Sequence, residues 1–434
     1  MKLYSTNNPS SQVSFQEAVF NSMPQDKGLY MPVSIPRLPD SFFEQLPNYT
    51  LPQLAFEVAK HLLGDTIAEG DLKALIEDAV NFEAPAVKLE DDVYVLELFH
   101  GPSLAFKDFG ARFMSRVMSY FLREGEKQLD VLVATSGDTG GAVALGFLGV
   151  PNTRVTILYP KGKVSDIQEL QLTTNGQNIR ALTIDGTFDD CQALVKQAFV
   201  DDELNSEFRL TSANSINIAR LIPQTFYYFN AYAQLLREGK TEVVFCVPSG
   251  NFGNIGAGLL AWKMGLPVKQ FIAATNANDT VPAFFKTGIY QPKPSVQTLS
   301  NAMDVGNPSN WVRIADLFKD DAEALKTLMV SYSYTDEQTR EAIQQVFDQY
   351  NYVVCPHTAI AWKALTDWQA QHEGVSGVFL STAHPCKFPD AFPTNIAAAI
   401  KVPPQVEELE QREKQAVSLG KDFEVFKAYL LENK

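Results

Sequence analysis

Val131-Leu132-Val133-Ala134-Thr135-Ser136-Gly137-Asp138-Thr139-Gly140-Gly141-Ala142-Val143-Ala144-Leu145 opens as an unbroken apolar run. It turns through glycines and hydroxyls and resumes as a helical pattern. A run apolar at every position suits a strand covered on both faces. The same pattern recurs outward from it. Val93-Tyr94-Val95-Leu96, Val155-Thr156-Ile157-Leu158-Tyr159, Ile179-Arg180-Ala181-Leu182-Thr183-Ile184 and Glu242-Val243-Val244-Phe245-Cys246-Val247 read as strands. So do Phe271-Ile272-Ala273-Ala274-Thr275 and Gly377-Val378-Phe379-Leu380-Ser381, with helical segments between, one over 189–199. Alternating strands and helices give parallel sheets with helices on both faces. Such sheets bind ligands beyond the carboxyl ends of their strands. The chain is therefore expected to be α/β.

The first 90 or so residues follow a different pattern. Pro24, Pro32, Pro36 and Pro39 punctuate them, and short helices are expected around Phe15, Ala18 and Val19, over 54–63 with Gly64 as a stop, and over 72–80. No chemistry is apparent there. At 434 residues the chain has room for two or three domains. A net charge of −15 argues against a nucleic-acid partner. Four scattered cysteines without a CxxC pair point to a reducing compartment, and five histidines without ligand spacing predict no metal site. The start of the chain has no apolar signal region and no run is long enough to span a bilayer, so a cytoplasmic location and no membrane partner are expected.

Chemistry concentrates in the loops. Glu97-Leu98-Phe99-His100-Gly101-Pro102-Ser103-Leu104-Ala105-Phe106-Lys107-Asp108-Phe109-Gly110 breaks after a strand and enters a helix whose stripe is Phe109, Phe113, Val117 and Phe121. Lys107 falls in the first turn of that helix. Partial burial and the positive end of the helix dipole both disfavour its ammonium, and an amine so activated can attack a carbonyl. The same residue also fits a lysine that snorkels from an amphipathic helix. Ser136 to Gly141 can hold a carboxylate or phosphate at a helix N-terminus, or simply cap the helix. Ser249-Gly250-Asn251-Phe252-Gly253-Asn254 suits a phosphate cradle without a Walker lysine. Gly256 and Gly258 mimic a dinucleotide fingerprint but fall inside the helix, where packing explains them. Ser212-Ala213-Asn214-Ser215-Ile216-Asn217 leads to Arg220, a fork for phosphate or an ion-pair partner. Thr382 offers a hydroxyl at the end of the last strand; turn and packing account for His384 and Cys386.

An activated amine, a phosphate cradle, a hydroxyl-rich anion loop and a terminal hydroxyl together suit pyridoxal phosphate. In order and wording, residues 13–19, 97–110, 134–141, 158–163, 212–217, 248–254, 273–281, 299–305 and 382–388 resemble the threonine synthase family of fold-type-II pyridoxal phosphate enzymes, in its longer branch. The resemblance implies two parallel-sheet lobes plus a mainly helical N-terminal region. The expected division is 1–92 for that region, 93–225 for a smaller lobe carrying the Schiff-base lysine, and 226–434 for a larger lobe with the cofactor-phosphate loop. Interleaving of the lobes is expected.

Residue by residue, the resemblance makes Lys107 the lysine joined to pyridoxal 5'-phosphate. It places Gly250, Asn251, Phe252, Gly253 and Asn254 around the cofactor phosphate, mainly through backbone amides, and Thr382 at the ring nitrogen. Ser136, Gly137, Asp138 and Thr139 would grip the substrate carboxylate, and Asn214, Ser215 and Arg220 the substrate phosphate. Asp138 departs from the shorter branch, which has asparagine facing the cofactor 3′-oxygen; an ionised aspartate would repel that oxygen unless protonated, turned away or otherwise paired. The implied reaction converts O-phospho-L-homoserine and water to L-threonine and phosphate. Alternatives are a pyridoxal phosphate-dependent phospho-lyase, a threonine or serine dehydratase, or a catalytically silent binding protein. A monomer or homodimer is expected.

Overall fold

The computed structural model describes residues 1–122 and 127–434. Two parallel sheets organise it. In the first, β6 (Leu129–Ala134) is flanked by β7 (Thr153–Pro160) and β9 (Arg209–Ser212); β8 (Ile179–Ile184) and β14 (Val417–Leu419) extend the β7 side. All its pairings are parallel. The second sheet runs β12 (Met329–Ser333), β11 (Gln270–Thr275), β10 (Val243–Pro248), β13 (Ser376–Ser381), β5 (Val93–Glu97) and β4 (Ala86–Glu90). Only β4 is antiparallel to its neighbour. Every residue of β6, β10 and β13 is buried, as expected for central strands covered on both faces.

Sheet membership interleaves across the expected boundaries at 92/93 and 225/226. β5 pairs with β13 in the six-stranded sheet, and β14 returns from the C-terminal region to β8. Between β5 and β6 the chain crosses from one sheet to the other. Lys107 stands within that crossing, at the start of helix Lys107–Phe121. The expected stripe packs inward: Phe109 sits edge-on to Tyr227, and Phe113 to Phe226, with ring centroids 5.3 and 6.1 Å apart.

Residues 1–92 carry the expected helices. Phe15–Asn21 opens with a Ser14/Glu17 capping box, and Leu51–Leu63 ends at Gly64 with φ of 57°. They also carry a three-stranded antiparallel sheet, β1 (Lys2–Ser5) between β2 (Asn8–Ser14) and β3 (Tyr30–Pro32), which the sequence did not announce. The residues of β2 are mostly polar and exposed, so no apolar alternation marks it.

Candidate active site

A cavity of about 410 Å³ opens beyond the carboxyl ends of β6, β10 and β13. Lys107, Ser136, Asp138, Thr139, Asn214, Ser215, Arg220, Gly250, Asn251, Phe252, Gly253, Asn254 and Thr382 all line it. Of the residues expected at the site, Gly137 alone stays behind the wall. Its φ is +134°, and a Cβ there would lie 2.4 Å from Gln168 Cδ, so glycine is required for the loop to pack.

Lys107 makes no hydrogen bond or ion pair among the described residues. Burial pushes its amine down to about 8; the charge of Asp138 opposes this, and those of Lys387 and Arg220 add to it. Ahead of it, Phe106 N–H donates to Thr382 O at 2.9 Å, which ties the lysine's entry to the end of β13. The Thr382 hydroxyl itself faces the cavity without a protein partner among the described residues.

The loop after β10 is a backbone site. Phe252 adopts the left-handed conformation, φ 60° and ψ 15°, immediately before helix Gly253–Lys263. A bulky residue there is held against its preference, a form of strain that clusters at functional sites. The amides of residues 250–254 find no acceptor among the described residues, so they form an anion-binding concavity at a helix N-terminus. The Asn254 side chain does not serve the cavity. Its Nδ2 donates to Pro248 O at 2.8 Å and locks the loop.

The loop after β6 is held by Thr135 Oγ1, which accepts from Gly137 N and Gly140 N at 3.0 and 2.9 Å. Asp138 is paired within the protein. Its Oδ1 accepts from Lys387 Nζ at 2.7 Å and from Gln168 Nε2 at 2.9 Å. Although burial opposes ionisation, Lys387 and Lys107 hold the carboxyl well below the usual carboxylate range.

The loop after β9 presents side chains. Arg220 is buried, donates from Nη1 to Ala213 O at 2.6 Å, and keeps its Nε unpartnered among the described residues. Burial lowers it to about 10. Arg313 anchors this loop from behind: Nη1 donates to Ser215 O at 3.1 Å and to Asn310 Oδ1 at 2.7 Å, and Nη2 to Ile216 O at 2.6 Å.

Sequence reasoning missed Lys387, His357 and Arg313, and gave no part to Lys163, which lines the cavity. His357 lines the cavity, and its Nε2 accepts from Ala302 N at 3.2 Å. That places the neutral ring's proton on Nδ1, 3.8 Å from Cys355 Sγ. Burial lowers His357 to about 4. Lys387 lies within a stretch that carried the family resemblance, but nothing local marks a lysine as buried. Among the described residues no cluster of three or more His, Cys, Asp or Glu could hold a metal, and no helix is long and apolar enough to cross a membrane.

Comparison with known proteins agrees with this geometry. Residues 80–382 match the family described as pyridoxal-phosphate dependent enzyme, 2–80 the threonine synthase N terminus, and 358–430 the threonine synthase C-terminal family. A threonine synthase of Serratia marcescens is 47% identical over 93% of this chain and 92% of its own. The chain belongs to the threonine synthase family. The crystal structure of threonine synthase from Escherichia coli superposes with a TM-score of 0.92 at 42% identity, covering 100% of both chains. A pyridoxal phosphate-bound threonine synthase from Brucella melitensis superposes at 0.90 with 34% identity, covering 100% of this chain and 99% of that one. The site fits the family's cofactor: an amine, a row of amides and the Thr382 hydroxyl, all without partners among the described residues, share one cavity.

Proposed function

We propose that this protein converts O-phospho-L-homoserine and water to L-threonine and phosphate, with pyridoxal phosphate as cofactor. The carrying observation is an unpaired amine of lowered pKa in the same cavity as a row of unpaired backbone amides. When bound, the cofactor supplies an electron sink for negative charge developing beside the amino carbon.

The chain supplies the rest. The amides of residues 250–254 would hold the cofactor phosphate, and the neutral Thr382 hydroxyl would meet the ring nitrogen. Ser136 and Thr139 orient the substrate carboxylate in a loop shaped by Gly137 and Thr135, with Asp138 as a fixed anion in its wall. Asn214, Ser215 and Arg220 face the substrate phosphate, with the buried guanidinium of Arg220 bringing the positive charge. Lys107 would be the base in reach: it would take the Cα proton, hand that proton on before taking one from Cβ, and return protons at Cγ and Cα as phosphate leaves Cγ and water adds at Cβ, the water's remaining proton leaving with the phosphate. Holding both ends of the substrate fixes which bonds break.

The test is product analysis with the cofactor-loaded protein and O-phospho-L-homoserine. Threonine and phosphate in equal amounts are expected. A keto acid in place of threonine would make the protein a phospho-lyase. Lys107→Ala should lose turnover by about 10⁴-fold, the upper range for one proton-transfer group, together with the visible absorbance of the loaded enzyme; comparable turnover would remove the assignment.

A further inference from the structure

Lys387 has a fully buried side chain, and the reaction above gives it no part. Its Nζ lies 2.7 Å from Asp138 Oδ1 and donates to Ser103 O at 2.9 Å. Gln168 braces the same carboxylate oxygen and is itself buried. Asp138 lines the cavity with Lys107, whereas Lys387 does not reach it. A carboxylate in this place has two effects on a neighbouring amine. It attracts the proton, and, if free to rotate, it competes for the amine directly. Two contacts on Asp138 Oδ1, from Lys387 and Gln168, leave the carboxylate neither free nor uncompensated.

We propose that Lys387 is a positioning residue: it fixes the Asp138 carboxylate and offsets its charge, so that this carboxylate does not hold the Lys107 nitrogen in its protonated form. The proposal rests on Lys107 being the reactive amine. The charged groups that Lys107 feels are Asp138 on its helix, Lys387 in the turn after β13, and Arg220. His357, from helix Pro356–Gln369, faces the same cluster but is neutral above about 4. Asp108 is turned to Ser103 N at 2.9 Å. Without Lys387, the remaining nearby anion would favour a proton on Lys107.

The pH titration of the visible absorbance of the holoenzyme reports the proton on the Lys107 nitrogen joined to the cofactor. Lys387→Met should move the midpoint up by about one pH unit or more. Lys387→Arg should leave it nearly in place, and Lys387→Met combined with Asp138→Asn should bring it back toward wild type. A folded, cofactor-loaded Lys387→Met enzyme with an unmoved midpoint overturns the proposal, because a purely structural lysine would alter stability and not this titration. Should Lys387→Met fail to fold, the comparison is Asp138→Asn against the double variant. The single variant, which keeps the ammonium, should titrate lower, and equal midpoints overturn the proposal. A wild-type protein that shows no visible absorbance after loading with pyridoxal phosphate would instead break the functional reading.

Discussion

Two loops of this cavity face anions by opposite means. The loop after β10 offers main-chain amides and no charge; its side chains are turned to holding the loop itself, as Asn254 does at Pro248. The loop after β9 ties two of its amides down internally: Asn214 N donates to Ser212 Oγ at 3.2 Å and Asn217 N to Asn214 O at 3.1 Å. What it offers the cavity is Asn214, Ser215 and the buried guanidinium of Arg220. A backbone cradle suits a group that stays bound through every turnover. Side chains with a charge suit a phosphate that must be recognised, stabilised as it departs and released.

The sharpest break of this comparison is Arg220→Met. If the second loop works through its side chains, kcat/KM for O-phospho-L-homoserine should fall by about 100-fold or more, the cost of removing one partner from a buried charged contact. Cofactor affinity, measured by absorbance titration, should stay close to wild type. Equal losses in both would mean that the two loops do not divide the labour.

Gly250→Ala tests the other loop. A Cβ there would lie 2.7 Å from Met303 Cα and 3.0 Å from Ala302 O, both backbone atoms, so the loop or the 301–303 turn must shift. Misplaced amides should weaken cofactor binding by roughly 10- to 100-fold, the equivalent of one or two hydrogen bonds to a charged group. Asn251→Ala should act much less. Its Oδ1 accepts only from Ser309 N at 3.2 Å, on the exposed side, and a loss of about 1 kcal/mol, or roughly fivefold, is expected. A larger effect from Asn251 than from Gly250 would show that side chains, not amides, form this cradle.

The same contrast explains how much was legible beforehand. Backbone sites announce themselves, because glycines after a buried apolar run have few other uses; β6 and β10 and their loops were readable for that reason, and β13 by its apolar run alone. Edge strands were not. β12 and β14 are short and only partly buried, and serines interrupt their apolar residues. Long-range polar partners were illegible in principle. Nothing around Lys387 foretells that Asp138, far away in the chain, will meet it at 2.7 Å. Arg313 likewise reads as a surface charge on a helix, and only the fold turns it against Ser215 and Ile216.

The smallest expected effect concerns the amine that both loops serve. Lys107 has its pKa lowered to about 8 from an ordinary value of 10.5. A lowered amine binds fewer protons in the folded than in the unfolded state between those values, so folding stability rises with pH across that window. The charged amine therefore burdens the cofactor-free fold below about pH 8, and the burden lifts as pH climbs toward 10. The slope from this group alone is at most about 1.4 kcal/mol per pH unit. Burial holds tyrosines such as Tyr227 and Tyr228 well above 10 in the fold, so they begin to titrate at the upper end of the range only when unfolded, and the quantity to measure is a difference: denaturant midpoints of wild type and Lys107→Ala, both without cofactor, from pH 7 to 10. Wild type should gain on the variant as pH rises. Parallel curves would mean that the Lys107 amine is solvated before the cofactor arrives, and that its reactivity comes from the loops that position its partner rather than from burial.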